Sequence, residues 1–236
     1  MKRSDGVLVL LTALSYPVAL LIGSRWLLPL LNTLPAYVLM ARRLHAGDRA
    51  GALRATLLWA VALAVCGTVT FSLWPHDVGP TVLNGERYRD EMFHWIRTGE
   101  GSEGDIRLFL PQHVLHLAAF LALSLASASV VSISMGAVLM NYMSYYVASL
   151  ARAGVPLATV VFLGWQPWAI ARVAAFCALG TVLAEPLLSR LYRYRYEGLR
   201  AARPVILAAA AGILADWVLK AVLAPHWGLW LRAALR

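Results

Sequence analysis

Four side chains in the middle of the chain have the types and spacing of metal ligands. Glu91 and His94 are three residues apart, so a helix presents them on one face. His113 and His116 repeat that spacing further along the chain. E-x-x-H and H-x-x-H are both spacings by which helices hold zinc or iron. The pattern raises the hypothesis of a Zn or Fe site; the alternative is a surface helix followed by interfacial histidines.

Charged side chains inside apolar stretches are a second candidate for chemistry, because a charge in hydrocarbon is costly and marks function by default. The candidates are Arg172, Glu185, Asp216 and Lys220. Asp216 precedes Lys220 by four residues, the favourable order for an intrahelical pair. Arg172 needs an acid on another helix, and Asp216 is the expected partner. The network is either self-neutralising and structural, or part of an ion or proton pathway.

Small and polar residues form a third pattern. They are Ser124, Ala128, Ser132 and Gly136, which recur every four residues, followed by Asn141 and Tyr145. Small residues at this spacing allow a second helix to approach closely, and polar groups in hydrocarbon must find partners. The pattern indicates helix packing or, alternatively, a groove for a lipid or substrate.

The elements that must position these residues are membrane helices. The 236-residue chain is 60% apolar and 14% charged, with a mean hydropathy of +0.66. Soluble domains carry about 25% charged residues, so a disordered chain and a soluble enzyme are both excluded as first interpretations. We expect an all-α polytopic transmembrane bundle of seven spans, or six if the first two form a re-entrant hairpin.

Apolar runs of about 20 residues, the length needed to cross a bilayer, define these spans. The expected spans are 6–23, 26–40, 55–74, two within 113–150, one in 156–188 interrupted at 164–167, and 204–225. The run 113–150 is too long for one crossing, and we place its break near 132–136. The implied units are 1–74 with a basic loop at 41–54, a loop at 75–112 with a surface helix near 86–98, a four-span unit at 113–225 and an interfacial tail at 226–236.

We interpret the formal charge of +9 as a signal of how the chain is oriented in the membrane. The loop 75–112 has seven acids and four arginines, whereas the segments 2–3, 42–54 and 190–203 are basic. The positive-inside rule then places the N-terminus in the cytoplasm and the acidic loop outside a bacterial-type inner membrane. The expected partners are the lipid bilayer and other membrane subunits or further copies of the chain, with no nucleic acid.

Part of the chain has the layout of a known membrane family. The features are the run Met135–Asn141, a proline-broken helix at 165–172 that continues into 178–180, and the ending at 213–225. From about residue 109 to 225 the chain thereby resembles the stage II sporulation protein M family. In that family an acidic residue often lies in the last span, where Asp216 stands here. The resemblance implies a non-enzymatic membrane component that works with partners.

The sequence lacks the G-x-x-x-x-G-K-[ST], H-E-x-x-H and G-x-S-x-G motifs of P-loop ATPases, zincin proteases and nucleophile-elbow hydrolases. The first hypothesis for its function is therefore a non-catalytic subunit of a transport or envelope-assembly complex. The alternative is a metal-dependent membrane enzyme that acts on a lipid or lipid-linked substrate at the four Glu and His residues.

Overall fold

A computed structural model of the protein describes residues 3–74, 76–196 and 198–235. Lys2, part of the expected basic start, lies outside the described residues. All regular structure in the described residues is helical apart from turns. The elements are α1 (Arg3–Ile22), α2 (Leu27–His45), α3 (Arg49–Leu73), a 3-10 turn (Gly79–Thr81), α4 (Gly85–Thr98), α5 (Ile106–Ala126), α6 (Val130–Arg152), α7 (Leu157–Leu163), α8 (Pro167–Tyr192) and α9 (Arg203–Ala234).

Six of the described helices are long and apolar enough to cross a membrane: α1, α3, α5, α6, α8 and α9. The protein is therefore a multi-pass membrane protein with an all-α fold. Large apolar side chains such as Leu10, Val61 and Val222 are exposed on the perimeter of the bundle. Such a surface is stable in lipid and not in water.

The helix α2 falls outside this set of six, and it packs against both α1 and α3, which also pack against each other. Its 19 residues extend about 28 Å at 1.5 Å per residue. Arg43, near its end, forms an ion pair with Asp5, near the start of α1. Arg54, in the first turns of α3, also lies 3.0 Å from Asp5. The end of α2 therefore lies beside the starts of α1 and α3, which makes α2 antiparallel to both.

We name the two ends of the bundle by their charge. The basic end carries Asp5 with its arginines and, between α8 and α9, the described residues 193–196 and 198–202. The acidic end carries residues 76–105, including α4. Arg152, at the end of α6, donates to the Trp74 carbonyl at the end of α3 across 2.8 Å, which places both helix ends at the acidic end.

The apolar run 113–150 folds as two helices, but the break predicted near 132–136 is wrong. The chain turns at Ala128 and Ser129, which have φ values of 49° and 66°. The Ser129 amide closes this turn on the Ser124 carbonyl at 2.9 Å. Ser124 thus lies in the last turn of α5 while Ser132 and Gly136 belong to α6, so the small-residue pattern is split between two helices. Ser124 Oγ instead donates to Ser132 Oγ at 2.8 Å across the hairpin.

Several helices extend beyond the apolar runs. The start of α3 at Arg49 is capped by Asp48, whose carboxylate accepts from the Gly51 amide at 2.8 Å, so most of the expected loop 41–54 is helical. Asp105 caps α5 in the same way, and α5 begins seven residues before His113. At the other end of the chain, α9 continues through Pro225 to Ala234 where an interfacial tail was expected.

A buried polar ladder joins α1, α2, α3 and α6 in the middle of the bundle. The Asn141 amide donates to Asn32 Oδ1 at 2.8 Å, and its Oδ1 accepts from Tyr16 at 2.9 Å. Asn32 also donates to Ser15 at 2.6 Å, and Trp59 donates to the Asn32 carbonyl at 2.8 Å. Asn141 thus has a packing role in the core, because each polar group of this ladder is paired inside hydrocarbon.

Candidate functional site

A charged cluster lies near the acidic end, where α5, α8 and α9 meet. His113 is seven residues into α5 and Arg172 five residues past Pro167, about 10 Å and 8 Å below the helix starts. Arg172 Nη1 lies 2.6 Å from His113 Nε2, and Asp216 Oδ2 lies 3.2 Å from His113 Nδ1. Helical structure thus brings one residue from each of three helices to a common point within the membrane-spanning region.

The hydrogen-bond geometry fixes the protonation of His113. A guanidinium has only donors, so the Nε2 that faces Arg172 must accept. The remaining ring proton then lies on Nδ1 and points to the Asp216 carboxylate. His113 is therefore a neutral bridge between a cation and an anion. Arg172 and Asp216 also approach each other directly, at 3.8 Å.

A second ion pair extends the cluster toward the acidic end. Lys220 of α9 is only 2% exposed, and its ammonium lies 2.9 Å from Glu103 Oε1. The same ammonium lies 4.7 Å from the centre of the Phe109 ring, within the range of a cation–π contact. Glu103 comes from the segment between α4 and α5, so the pair ties a segment outside the membrane-spanning helices to α9.

The cluster lines a small cavity. The cavity has a volume of about 70 Å³, and a water molecule needs roughly 10–15 Å³, so the cavity has room for several water-sized groups. Asp216 is 1% exposed, and its Oδ1 has no hydrogen-bond partner among the residues that the structure describes. Arg172 and Lys220 balance Asp216 and Glu103 in charge, and Glu91, a third carboxylate of the lining, is paired with Arg87. The cavity is thus polar, buried and close to neutral, with one acceptor left for a ligand.

The roof of the cavity is α4, which lies outside the membrane-spanning helices. Tyr88 and Glu91 face the cavity from this helix. Burial raises the pKa of the Tyr88 phenol well above its usual range, so the group stays protonated at neutral pH. Glu91 accepts from Arg87 Nε at 2.8 Å on the exposed side of the roof, and this hydrogen bond raises the pKa of Arg87.

An apolar pocket of about 40 Å³ adjoins the polar cavity. The two share the side chains of Leu139, Met143, Arg172 and Phe176. The rest of the apolar pocket is lined by residues that include Trp59, Phe120, Ile133 and Gly136. A β-carbon added at Gly136 would meet nothing within 4 Å, so the space beside this residue is open.

A hollow of about 250 Å³ lies beside the cavity, between α5 and α6 beneath α4. Gln112 and His116 of α5 and Leu139 and Tyr142 of α6 line both spaces. Met135 and Val138 line the hollow further down α6. The polar cavity is therefore bordered by an apolar pocket on one side and by an open space between two helices on the other.

The structure does not bring the four predicted metal ligands together. Glu91, His113 and His116 line the polar cavity, whereas His94 lines a separate external hollow with Arg97 and Arg152. In the described residues no group of three or more His, Cys, Asp or Glu is placed to hold a metal ion. His113 is moreover engaged by Arg172 and Asp216. The Zn or Fe hypothesis therefore gains no support from the geometry.

The predicted charge network divides into two. Arg172 and Asp216 lie together, but Glu185 is at the basic end, where it binds Arg49 with two contacts of 2.6 and 2.8 Å. The predicted grouping of Glu185 with the other three is wrong, because 13 residues of α8 separate it from Arg172 by about 20 Å. Lys220 pairs with Glu103 rather than with Asp216, its neighbour one turn earlier.

The predicted groove residues also divide. Ser132 and Gly136 line the apolar pocket, whereas Ala128 lies in the hairpin turn. Tyr145 faces the external hollow, where its hydroxyl accepts from Arg89 at 2.9 Å. The pocket side of α6 is instead marked by Leu139 and Met143.

Sequence reasoning missed Glu103, Phe109 and Tyr88. Glu103 lies in a glycine-rich segment that has the composition of a flexible connection, and nothing local connects it with α9. One signal was present: a lysine inside a span needs an anion, and Asp216 cannot serve both Arg172 and Lys220 equally.

No family model, curated protein or solved structure matches the chain.

Proposed function

We propose that the protein is a non-catalytic membrane subunit of a transport or envelope-assembly complex, and that it binds an amphiphilic molecule from the outer leaflet. One observation carries this proposal: a buried charged cavity adjoins an apolar pocket within the membrane-spanning region. A molecule with a polar headgroup and a hydrocarbon tail matches this pair of environments. Its headgroup finds polar partners in the charged cavity, and its tail contacts the apolar pocket.

The route of entry follows from the hollow between α5 and α6. It lies beneath α4 and is lined by α5 and α6 side chains that also line the cavity. A headgroup that enters there reaches His113 and Arg172, while its tail remains beside the apolar pocket. Leu139 and Tyr142, which line both spaces, lie between the hollow and the cavity.

The cellular setting is part of the same proposal. We place the protein in a bacterial-type inner membrane with the basic end and the N-terminus in the cytoplasm. The cavity then lies in the outer half of the bilayer. The absence of the three catalytic motifs and the resemblance of residues 109–225 to the stage II sporulation protein M family support a component that works with other subunits or further copies of itself.

Gly136 provides the test of amphiphile binding. Gly136→Leu fills the open space beside α6 without adding charge. Excluding about two methylene groups of a tail removes about 1.6 kcal/mol, so we expect binding to weaken by at least about tenfold. The measurement is calorimetric titration of the protein in maltoside detergent with dodecyl phosphate and dodecylphosphocholine.

Gly136→Ala is the matched control. Its methyl group meets nothing within 4 Å, so binding should be unchanged while the helix gains about 0.5–1 kcal/mol. Inorganic phosphate, which has no tail, should bind much more weakly than either amphiphile. If neither amphiphile binds the native protein, or if Gly136→Leu binds both as tightly as native protein, the proposed function is wrong.

A further inference from the structure

The ion pair between Glu103 and Lys220 joins a turn outside the membrane-spanning helices to the interior of α9. Lys220 is fixed within a 32-residue helix and is 2% exposed. Glu103 lies on the segment between α4 and α5, outside the membrane-spanning helices, and its side chain is 13% exposed. The carboxylate enters the cavity from the roof side and covers the ammonium.

The segment that carries Glu103 is a turn that belongs to neither α4 nor α5. Gly99 and Gly101 have φ values of 84° and 121°, in the region that favours glycine. The turn is closed by the amides of Gly104 and Asp105, which donate to the Gly101 carbonyl at 3.1 and 3.2 Å. Opening this turn withdraws Glu103 without unwinding α4 or α5.

Withdrawal of Glu103 changes the charge of the cavity. With Glu103 in place, Arg172 and Lys220 face Asp216 and Glu103 around neutral His113, and Glu91 at the roof is paired with Arg87. Without Glu103, Lys220 loses its ion-pair partner, and an uncompensated buried ammonium is strongly unfavourable. An anion of similar size to a carboxylate is the group that restores the balance. Asp216 Oδ1, which has no partner among the described residues, is in addition an acceptor for a hydroxyl on that group.

We infer that Glu103 occupies the position of the ligand's headgroup, and that the ligand is an anionic amphiphile whose phosphate or carboxylate displaces Glu103 from Lys220. A phosphate monoester fits well, because its monoanion has both acceptor oxygens for Lys220 and a hydroxyl for Asp216. The inference rests on the proposed function, since it names the chemical class of the molecule that the cavity binds. Glu103 then acts as a lid that keeps the site neutral while it is empty.

Glu103→Gln tests competition between the lid and the headgroup. Removing the competing carboxylate increases the fraction of protein that is ready to bind, so dodecyl phosphate should bind about tenfold more tightly. Binding of zwitterionic dodecylphosphocholine should change much less. Glu100→Gln is the matched control: it lies on the same segment with an exposed side chain, and it should leave both affinities unchanged.

The double variant Glu103→Gln with Lys220→Met removes both members of the pair and leaves no unpaired ammonium. It should lose the preference for dodecyl phosphate over dodecylphosphocholine while still binding both. Retention of the preference in this variant would overturn the assignment of Lys220 as the anion contact.

Hydrogen exchange on the native protein gives a result that does not depend on any variant folding. Dodecyl phosphate should speed exchange of the Gly104 and Asp105 amides, because the turn opens when Glu103 leaves. Dodecylphosphocholine should have a smaller effect. Binding of both amphiphiles with equal affinity and unchanged exchange at these amides would refute displacement of the lid while leaving the proposed function intact. Binding of neither would refute both.

Discussion

His113 lies between the guanidinium of Arg172 and the carboxylate of Asp216 and contacts both. Because Arg172 can only donate, the imidazole accepts on Nε2 and presents its proton to Asp216. The direct distance of 3.8 Å between Arg172 and Asp216 is longer than either contact through the ring. The three residues therefore form one unit, and removing one member leaves a buried charge without its partner.

This unit predicts strong coupling between Arg172 and Asp216. We expect Arg172→Met and Asp216→Asn each to lower the free energy of unfolding by about 2–4 kcal/mol, because each variant leaves the remaining charge buried without its partner. The double variant should lose about 1–3 kcal/mol less than the sum of the two. Chemical denaturation in mixed micelles measures the free energy of unfolding of the two single variants and the double variant. Additive losses would show that the two charges are independent.

At the scale of helices, boundaries depend on caps and turns that are only a few residues long. The α8 helix ends where Arg193 adopts φ 53° and its neighbour Tyr194 donates back to the Ser189 carbonyl at 3.2 Å. A left-handed residue costs about 1–2 kcal/mol unless it is glycine. Arg193 thus terminates the helix at an energetic cost that glycine would avoid.

Arginine-to-glycine changes at Arg193 and within the preceding helical turn should therefore change the free energy of unfolding in opposite directions. Arg193→Gly, at the left-handed position, should raise the free energy of unfolding by about 0.5–1 kcal/mol. Arg190→Gly, in the last helical turn and also exposed, should lower it by about 1 kcal/mol. Parallel denaturation of the two variants is the measurement. A loss of stability in both would contradict the role given to the backbone of Arg193.

Sequence patterns predicted the α-helical membrane class well and the breaks between helices poorly. Long apolar runs and charged flanks locate the spans because hydrocarbon demands internally paired backbone and apolar side chains. The turn at Ala128 and Ser129 has no proline or glycine, so the small-residue pattern suggested a helix that continues across it. Its position is decided by the contacts that α5 and α6 make on either side, which local sequence does not contain.

At the scale of the whole molecule, charge is divided between the two ends of the bundle. The basic end has buried pairs such as Asp5 with Arg43 and Glu185 with Arg49. The acidic end has α4 and the segment between α4 and α5 that carries Glu103. If basic residues face the cytoplasm, the cavity opens toward the outer leaflet.

Cysteine labelling tests this orientation in intact cells. In a background with Cys66 and Cys177 changed to Ala, Glu100→Cys should react with a membrane-impermeant maleimide from outside. Arg195→Cys, exposed at the opposite end, should react only after the membrane is permeabilised. The reverse pattern would place the cavity in the inner leaflet and overturn the proposed route of entry.

The sequence by itself determined that the chain lies in a membrane and that its fold is all-α, because hydropathy acts on each segment separately. It could not determine which charges meet. Glu185 and Arg172 share one helix but lie too far apart to interact, whereas Glu103 and Lys220 are 117 positions apart and lie in contact. Only the packing of α5, α8 and α9 beneath α4 brings those partners together, since side-chain contact depends on the positions of helices in three dimensions. The cavity, and with it the proposed headgroup site, is a product of that packing.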